Sequence, residues 1–390
     1  MAGPLTGIKI LDLSSVVLGP LATQIMGDLG ADVIKIEAPS GDSTRYTGPK
    51  RSNDMSALFL GLNRNKRSVI LNLKKPAAKK ALWRLIDTSD VFIHSIRPQK
   101  IKKLGFSHED VCARNKRIIY AGIHGYQMGG PYSGEPAYDD VIQGQAGNVD
   151  LMARLVGEPR YMPTIMADKT CALVAANSVM AALFERERSN KGQFVEIPMF
   201  ETMVAYNLTE HLYGYTFDPP EDQIGYTRVL APSRRPYKTK DGYICILVYT
   251  DKQWEDFWKE VGRPELIKDA KFATLSARST NIEELYRTAR ECVANRNTAE
   301  WQEALDRLQI PHAPITTMEM LFEDPHLKKM NFFKKIEHPT EGNIVIPDSP
   351  VGFSRTPTSL NRLQPGFGEH SEEILKEAGL SNEEIKQALK

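Results

Sequence analysis

Ile8-Lys9-Ile10-Leu11-Asp12-Leu13, then Ser14-Ser15-Val16-Val17-Leu18-Gly19-Pro20, then Leu29-Gly30-Ala31-Asp32-Val33-Ile34-Lys35-Ile36: this stretch decides the fold class. Its first run is apolar and β-branched, as a strand requires. Pro20 suits the first turn of a helix, where a missing N–H costs nothing. Gly30 fits the residue just past that helix, where the chain turns left-handed. Residues 32–36 form a second strand. Strand, helix and strand at this spacing make a βαβ unit, so the pairing is parallel. The pattern continues with a strand at 68–73, a helix at 76–87, and strands at 91–94 and 117–123. A long helix is predicted from about Asp168 to Arg188, ending near Gly192, and its apolar residues (Ala172, Leu173, Ala175, Ala176, Val179, Met180, Leu183) imply burial on most sides. A strand at 193–199 and a helix at 200–213 follow. The class is α/β, a Rossmann-like large domain with a mostly parallel sheet.

The texture changes at Tyr215-Thr216-Phe217-Asp218-Pro219-Pro220, where turn-forming residues accumulate. The predicted organisation is a large α/β domain over 1–213, a linker over 214–236, a smaller α+β domain over 237–320, and a linker and C-terminal part over 321–390 that returns to the large domain. Within the small domain, Tyr237-Lys238-Thr239-Lys240-Asp241-Gly242-Tyr243-Ile244 reads as a hairpin with Asp-Gly at its turn. An irregular stretch at 347–365 precedes one amphipathic helix over 371–390.

The 390 residues carry a net charge of +1, which gives no global field for nucleic acid or anionic lipid. Cys112, Cys171, Cys245 and Cys292 are too scattered for a disulfide framework or zinc site, so no metal is expected. The N-terminal residues lack a basic and then apolar secretory pattern, and no run approaches the roughly 18 apolar residues of a membrane span. A cytoplasmic protein without nucleic-acid or membrane partners is expected. The turn after the first strand holds one glycine and a proline, not G-x-G-x-x-G, so a dinucleotide is not expected there. No P-loop, H-E-x-x-H or G-x-S-x-G occurs.

Other segments form an ordered set: Gly19-Pro20, Gly30 to Glu37, Gly41-Asp42, Arg45; Asn63, Asn65-Lys66-Arg67-Ser68, Leu71-Asn72-Leu73-Lys74; Arg97-Pro98, Leu104-Gly105; Gly125-Tyr126, Gly129-Gly130-Pro131; Tyr138-Asp139, Gln143; Asp168; and Gly368-Glu369-His370. Over essentially the whole chain this set resembles the class III CoA-transferases (CaiB/BaiF type), the family of formyl-CoA transferase and carnitine CoA-transferase. The resemblance implies an interlocked-ring homodimer, an acyl-CoA and a small carboxylic acid as substrates, and no permanently bound cofactor, with coenzyme A arriving as cosubstrate. It also implies that Asp168 is the nucleophile. CoA transfer needs a carboxylate that attacks a thioester and then carries CoA, and a helix N-terminus stabilises the developing oxyanions. Read from position alone, Asp168 is a helix N-cap, among the commonest uses of Asp.

The same resemblance places CoA contacts at Ser95, Ile96 and Arg97, with Lys103 a turn later, at Leu71 and Lys74, and at Tyr138 and Asp139 beside the thioester. Three phosphates on CoA call for basic side chains along its path. This chain also departs from the family. Ser95 stands where many members have Asn, and Val17 where formyl-CoA transferase has Gln, which argues against oxalate as acceptor. The glycine lid of that enzyme is replaced by residues 228–236, where Arg234 and Arg235 offer a clamp for the distal carboxylate of a dicarboxylic acid, or else ion-pair partners at a domain boundary. Two other functions remain at this stage. An α-methylacyl-CoA racemase would need His-Asp at Tyr138-Asp139, and tyrosine is a poor two-way proton carrier at neutral pH. His94 and His124 are alternative bases, or simply polar residues at strand ends. A non-catalytic acyl-CoA-binding protein is the third reading.

Overall fold

In Lys9–Leu13 (β1) the side chains alternate between two apolar environments, Ile10 entering one core and Leu11 the other. The chain then enters a helix at Leu18–Asp28 (α1), with Gly30 beyond its end at φ +100° as the sequence predicts. Strands Asp32–Glu37 (β2) and Lys66–Ile70 (β3), helix Pro76–Asp87 (α2), strand Val91–His94 (β4), helix Pro98–Leu104 (α3) and strand Ile119–His124 (β5) follow. Helices Asp139–Gln145 (α4) and Met166–Ser189 (α5), strand Gln193–Pro198 (β6) and helix Met199–His211 (α6) complete this run. The six strands form one parallel sheet in the order β3-β2-β1-β4-β5-β6. Helices α1, α5 and α6 cover one face. On the other face lie α2 and two C-terminal helices. The order reverses between β1 and β4, the crevice where open α/β sheets bind ligands.

This computed structural model describes residues 3–390. They fall into two units: the first contains the chain up to Gly147, with Met162–Tyr206 and Lys329–Lys390, and the second contains Asn148–Tyr161 and Asn207–Lys328. Residues 148–161 therefore group with the second unit, not with the large domain where the sequence reading put them. Amide pairs hold them there: Asn148 and Asn207 exchange hydrogen bonds at 3.2 and 2.9 Å, and an Arg154 Nη1–H donates to the Ile224 carbonyl at 3.2 Å. In the second unit the expected hairpin forms from Tyr237–Lys238 (β7) and Tyr243–Ile246 (β8), and His312–Pro314 (β9) adds a third antiparallel strand. Its core is aromatic, built on Trp254, Phe257, Trp258 and Trp301.

Three expectations need correction. Residues 333–347, read as linker, form an antiparallel hairpin, Phe333–His338 (β10) with Gly342–Pro347 (β11). The terminal helix is two helices, Ser371–Glu377 (α7) and Asn382–Leu389 (α8), because Gly379 turns left-handed at φ +78° and Ser381 caps a new start. The 24-residue α5 is long and apolar enough to cross a bilayer, but it packs on α1, α4, β5 and β6. It is not buried on most sides, however. Leu173 and Phe184 stand 61% and 66% exposed, which leaves an apolar face open on the single chain.

Candidate active site

Asp168 is the third residue of α5, inside its first turn; the N-cap is Ile165, which makes no side-chain cap. The N-cap reading of Asp168 is therefore set aside. Its backbone N–H donates to Asp139 Oδ1 at 3.0 Å, and Asp139 Oδ2 accepts from Gln143 Nε2 at 2.6 Å. Asp139 thus faces inward and holds the start of α5, while its neighbour Tyr138, the N-cap of α4, turns outward and is 67% exposed. Among the described residues, the Asp168 carboxylate itself accepts no hydrogen bond.

Asp168 as a whole is only 7% exposed. Burial, reinforced by the Asp139 charge, pushes its pKa up to about 7. The positive end of α5 opposes this, but a helix terminus contributes typically 0.3–1 kcal/mol to an anion, against about 1.4 kcal/mol for each pKa unit. Desolvation wins. One turn on, buried Cys171 is no rival nucleophile, since burial and then the charges of Asp168 and Asp139 push its thiol up to about 12.

A cleft of about 350 Å³ places Asp168 with Ser95, Ile96, Arg97, Lys100, His124 and Tyr138. A second, of about 570 Å³, is lined by Leu71, Lys74, Lys35, Asp42 and Leu104. The two share Ser15 and Ile96, so the loop after β4 borders both. Six of the residues proposed to contact CoA (Leu71, Lys74, Ser95, Ile96, Arg97 and Tyr138) therefore line adjoining clefts. Asp139 lines neither, because its carboxylate is turned toward α5. Lys103 is exposed and lines neither, whereas Lys100, one helical turn earlier, lines the first cleft.

The sequence reading singled out Val17 in the turn after β1 but missed the strained backbone of Val16 beside it. Val16 adopts φ +71°, a conformation that β-branched residues rarely hold. Neighbouring side chains fix it: Ser95 Oγ accepts the Ser15 N–H at 3.2 Å, and Asp42 Oδ1 accepts the Val16 N–H at 3.2 Å. The Ser95 hydroxyl is thereby engaged by the protein. Its signal in the sequence was the site itself, since the loop at the C-terminal end of β1 lies at the switch in strand order.

Arg234 and Arg235 belong to the second unit, where they line a cleft with Tyr237, Tyr286 and His312. Neither forms an ion pair among the described residues, so the structural ion-pair reading of these arginines finds no partner. Arg235 instead helps to lower the pKa of Arg290, which is depressed mainly by burial. No group of three or more His, Cys, Asp or Glu is placed to hold a metal among the described residues.

Comparison with known proteins identifies the chemistry of this scaffold. The model of CoA-transferase family III matches residues 5–371. The succinyl-CoA:glutarate CoA-transferase of Mus musculus is 34% identical over 376 residues, covering 96% of this chain and 86% of that protein. The formyl-CoA:oxalate CoA-transferase of Streptomyces avermitilis is 31% identical over 403 residues, covering 99% and 98%. A crystal structure of a CAIB/BAIF family protein from Brucella suis superposes with a TM-score of 0.80 at 28% identity, covering 97% of this chain and all of that one. The chain belongs to CoA-transferase family III and is a CoA-transferase.

Proposed function

We propose that the protein moves CoA from an acyl-CoA to a dicarboxylic acid, with Asp168 as covalent carrier. An Asp168 oxygen attacks the thioester carbonyl, and the C–S bond breaks to give an acyl-aspartyl anhydride and CoA thiolate. The thiolate attacks the aspartyl carbonyl, releases the donor acid as carboxylate, and leaves aspartyl-CoA. An acceptor carboxylate then attacks that thioester and expels the thiolate. The thiolate finally attacks the acceptor carbonyl of the new anhydride and returns Asp168 free. No net proton is exchanged, so no general acid or base is required. The observation that carries this reading is Asp168 itself, a buried residue lining a cleft, whose carboxylate has no hydrogen-bond partner among the described residues and is hence weakly solvated and nucleophilic. Incubation with acyl-CoA followed by hydroxylamine is expected to modify Asp168 alone, read by peptide mass spectrometry. A modified residue elsewhere, with Asp168 untouched, would sink the assignment.

A racemase on this scaffold would exchange the α-proton of an acyl-CoA with deuterated solvent in the absence of any acceptor acid. No such exchange is expected here, whereas transfer to a free carboxylate should follow ping-pong kinetics. Solvent deuterium at the α-carbon, detected by NMR, is the contrary result.

The name of the mouse relative, a succinyl-CoA:glutarate transferase, supports the dicarboxylic acceptor, and Arg234 and Arg235 are the residues proposed to clamp it, although in the single chain they line a cleft other than that of Asp168. A guanidinium holding the distal carboxylate contributes roughly 1.5–3 kcal/mol, about 10- to 150-fold in specificity. Succinate or glutarate should therefore be preferred over monocarboxylates of equal length by a factor of that size. Replacing both arginines by Met should erase the preference while sparing CoA binding. Unchanged discrimination in the double variant would assign these residues another role. The exposed apolar face of α5 supports association into a homodimer, for which interlocked rings are the proposed arrangement; a monomer in sedimentation at micromolar concentration would exclude it.

A further inference from the structure

His94, Gly122 and Glu196 stand side by side across β4, β5 and β6, His94 pairing with Gly122 and Gly122 with Glu196. Residues in one such row share a face of the sheet, and so does the residue two places along the strand. His124 is that residue. Its ring lies back over Gly122, where an added Cβ would sit 2.9 Å from its Cε1 and 3.1 Å from its Nε2. The absent side chain gives the imidazole its place. On one side the ring meets His94, with centroids 5.7 Å apart. On the other, Nδ1 lies 3.5 Å from Glu196 Oε1.

The partners fix the roles of the ring nitrogens. His94 Nδ1 accepts the Ile96 N–H at 3.1 Å, so its proton is on Nε2. His124 directs Nδ1 at a carboxylate, so Nδ1 carries the proton and Nε2 is a lone pair. Both Nε2 atoms are buried and lack partners among the described residues. Burial keeps the rings neutral, lowering His94 to about 3 and lowering His124 against the opposing pull of Glu196. A neutral imidazole with no free donor in the cleft does not serve as an acid.

What these groups do hold is backbone. His94 fixes Ile96, which with Ser15 is shared by the two clefts, and with it the start of α3 at Arg97. Glu196 Oε1 accepts the Met128 N–H at 2.6 Å and so anchors the turn after β5. Arg97 in turn reaches the Gly134 carbonyl at 3.5 Å. We infer that His94 and His124, seated over Gly122, are positioning residues that brace the loop at 95–97 against the turn at 125–128 and thereby set the geometry with which Arg97 meets CoA. This rests on the reading that the Asp168 cleft takes an acyl-CoA.

The test titrates coenzyme A itself into the full-length protein by calorimetry, beside unfolding measurements on each variant. His94→Phe keeps the ring but loses the acceptor for Ile96. It is expected to weaken CoA binding about 3- to 10-fold, the worth of one neutral hydrogen bond. Its stability should change little, because the cost of leaving the Ile96 N–H without its acceptor is offset by removal of a buried N–H that had no partner. His94→Asn can accept the same N–H from two residues back, as Asx turns do, and should bind nearly as wild type. In an Arg97→Ala background the cost of His94→Phe should shrink, since the contact it positions is gone. If the Phe variant does not fold, Gly122→Ala, which displaces the His124 ring, carries the same expectation. Equal affinity in the wild-type, Phe and Gly122→Ala proteins overturns the inference, as does equal weakening by Phe and Asn. Failure of the wild type to bind CoA would overturn the reading of the cleft instead.

Discussion

Replacing Asp168 with Asn is expected to lower CoA transfer by roughly 10⁴-fold or more, in line with loss of a covalent nucleophile, and at the same time to stabilise the protein above neutral pH. The second effect follows from the raised pKa, about 7 against an ordinary 3.8. The unfolded chain releases this proton near pH 4, and the folded chain holds it until about pH 7. Between those values the folded state binds more protons, so stability falls as pH rises, and above pH 7 the whole penalty is present. At about 1.4 kcal/mol per pKa unit it is on the order of 4 kcal/mol. Asn carries no charge and escapes it. Denaturant unfolding of both proteins at pH 4 and pH 8 should show the Asn variant more stable only at the higher pH. A constant difference at the two pH values would mean that the carboxylate is not strained by burial. The same ionisation should appear in turnover: kcat/KM of the wild type should rise with pH through about 7, since only the carboxylate attacks.

The parallel sheet was legible because each strand is bounded by residues with one local meaning. Pro20 and Gly30 frame α1, and β-branched runs mark β1, β2 and β4. Asp168 was legible only through the order of many segments, since an Asp at a helix start is ordinary on its own. Its place in the first turn was not, because Ile165 caps α5 with backbone alone and leaves no signature. Tyr138 and Asp139 are adjacent in sequence but face opposite ways, as the chain passes from extended backbone into α4 between them; pattern reading treats such neighbours alike. The hairpin at 333–347 lacked a signal because Phe333-Lys334-Lys335-Ile336-Glu337-His338 does not alternate cleanly. The exposed face of α5 was illegible for a different reason. Composition tells that Leu173 and Phe184 are apolar, but not whether this chain's own residues cover them.

Lys35→Met is expected to destabilise the protein by about 3–5 kcal/mol, the cost of removing one partner from a buried ion pair, although the position reads in the sequence as an ordinary strand lysine. Lys35, Asp12, Glu37, Asp42, Arg45 and Lys66 are all buried, three positive and three negative, and Lys35, Glu37 and Asp42 border the second cleft. Lys35 Nζ lies 2.8 Å from Asp42, Arg45 lies 2.7 Å from Glu37, and Lys66 lies 3.2 Å from Asp12. Burial alone would raise the Asp12 pKa, yet Lys66 and then Lys35 hold it below the usual carboxylate range. Asp42 follows the same logic, with Lys35 the main charge opposing burial. Removing Lys35 therefore leaves Asp42 charged, buried and without its cation. Asp42 also holds the N–H of strained Val16 over the Asp168 cleft, so transfer should decline at denaturant concentrations below the unfolding midpoint of the variant. Lys35→Met with Asp42→Leu should recover part of the stability, because the orphaned charge is gone, but not the activity, because Val16 loses its acceptor. Unfolding free energies within 1 kcal/mol of wild type for the single variant would show that water reaches Asp42 freely. A double variant with full activity would show that the turn after β1 holds its shape unaided.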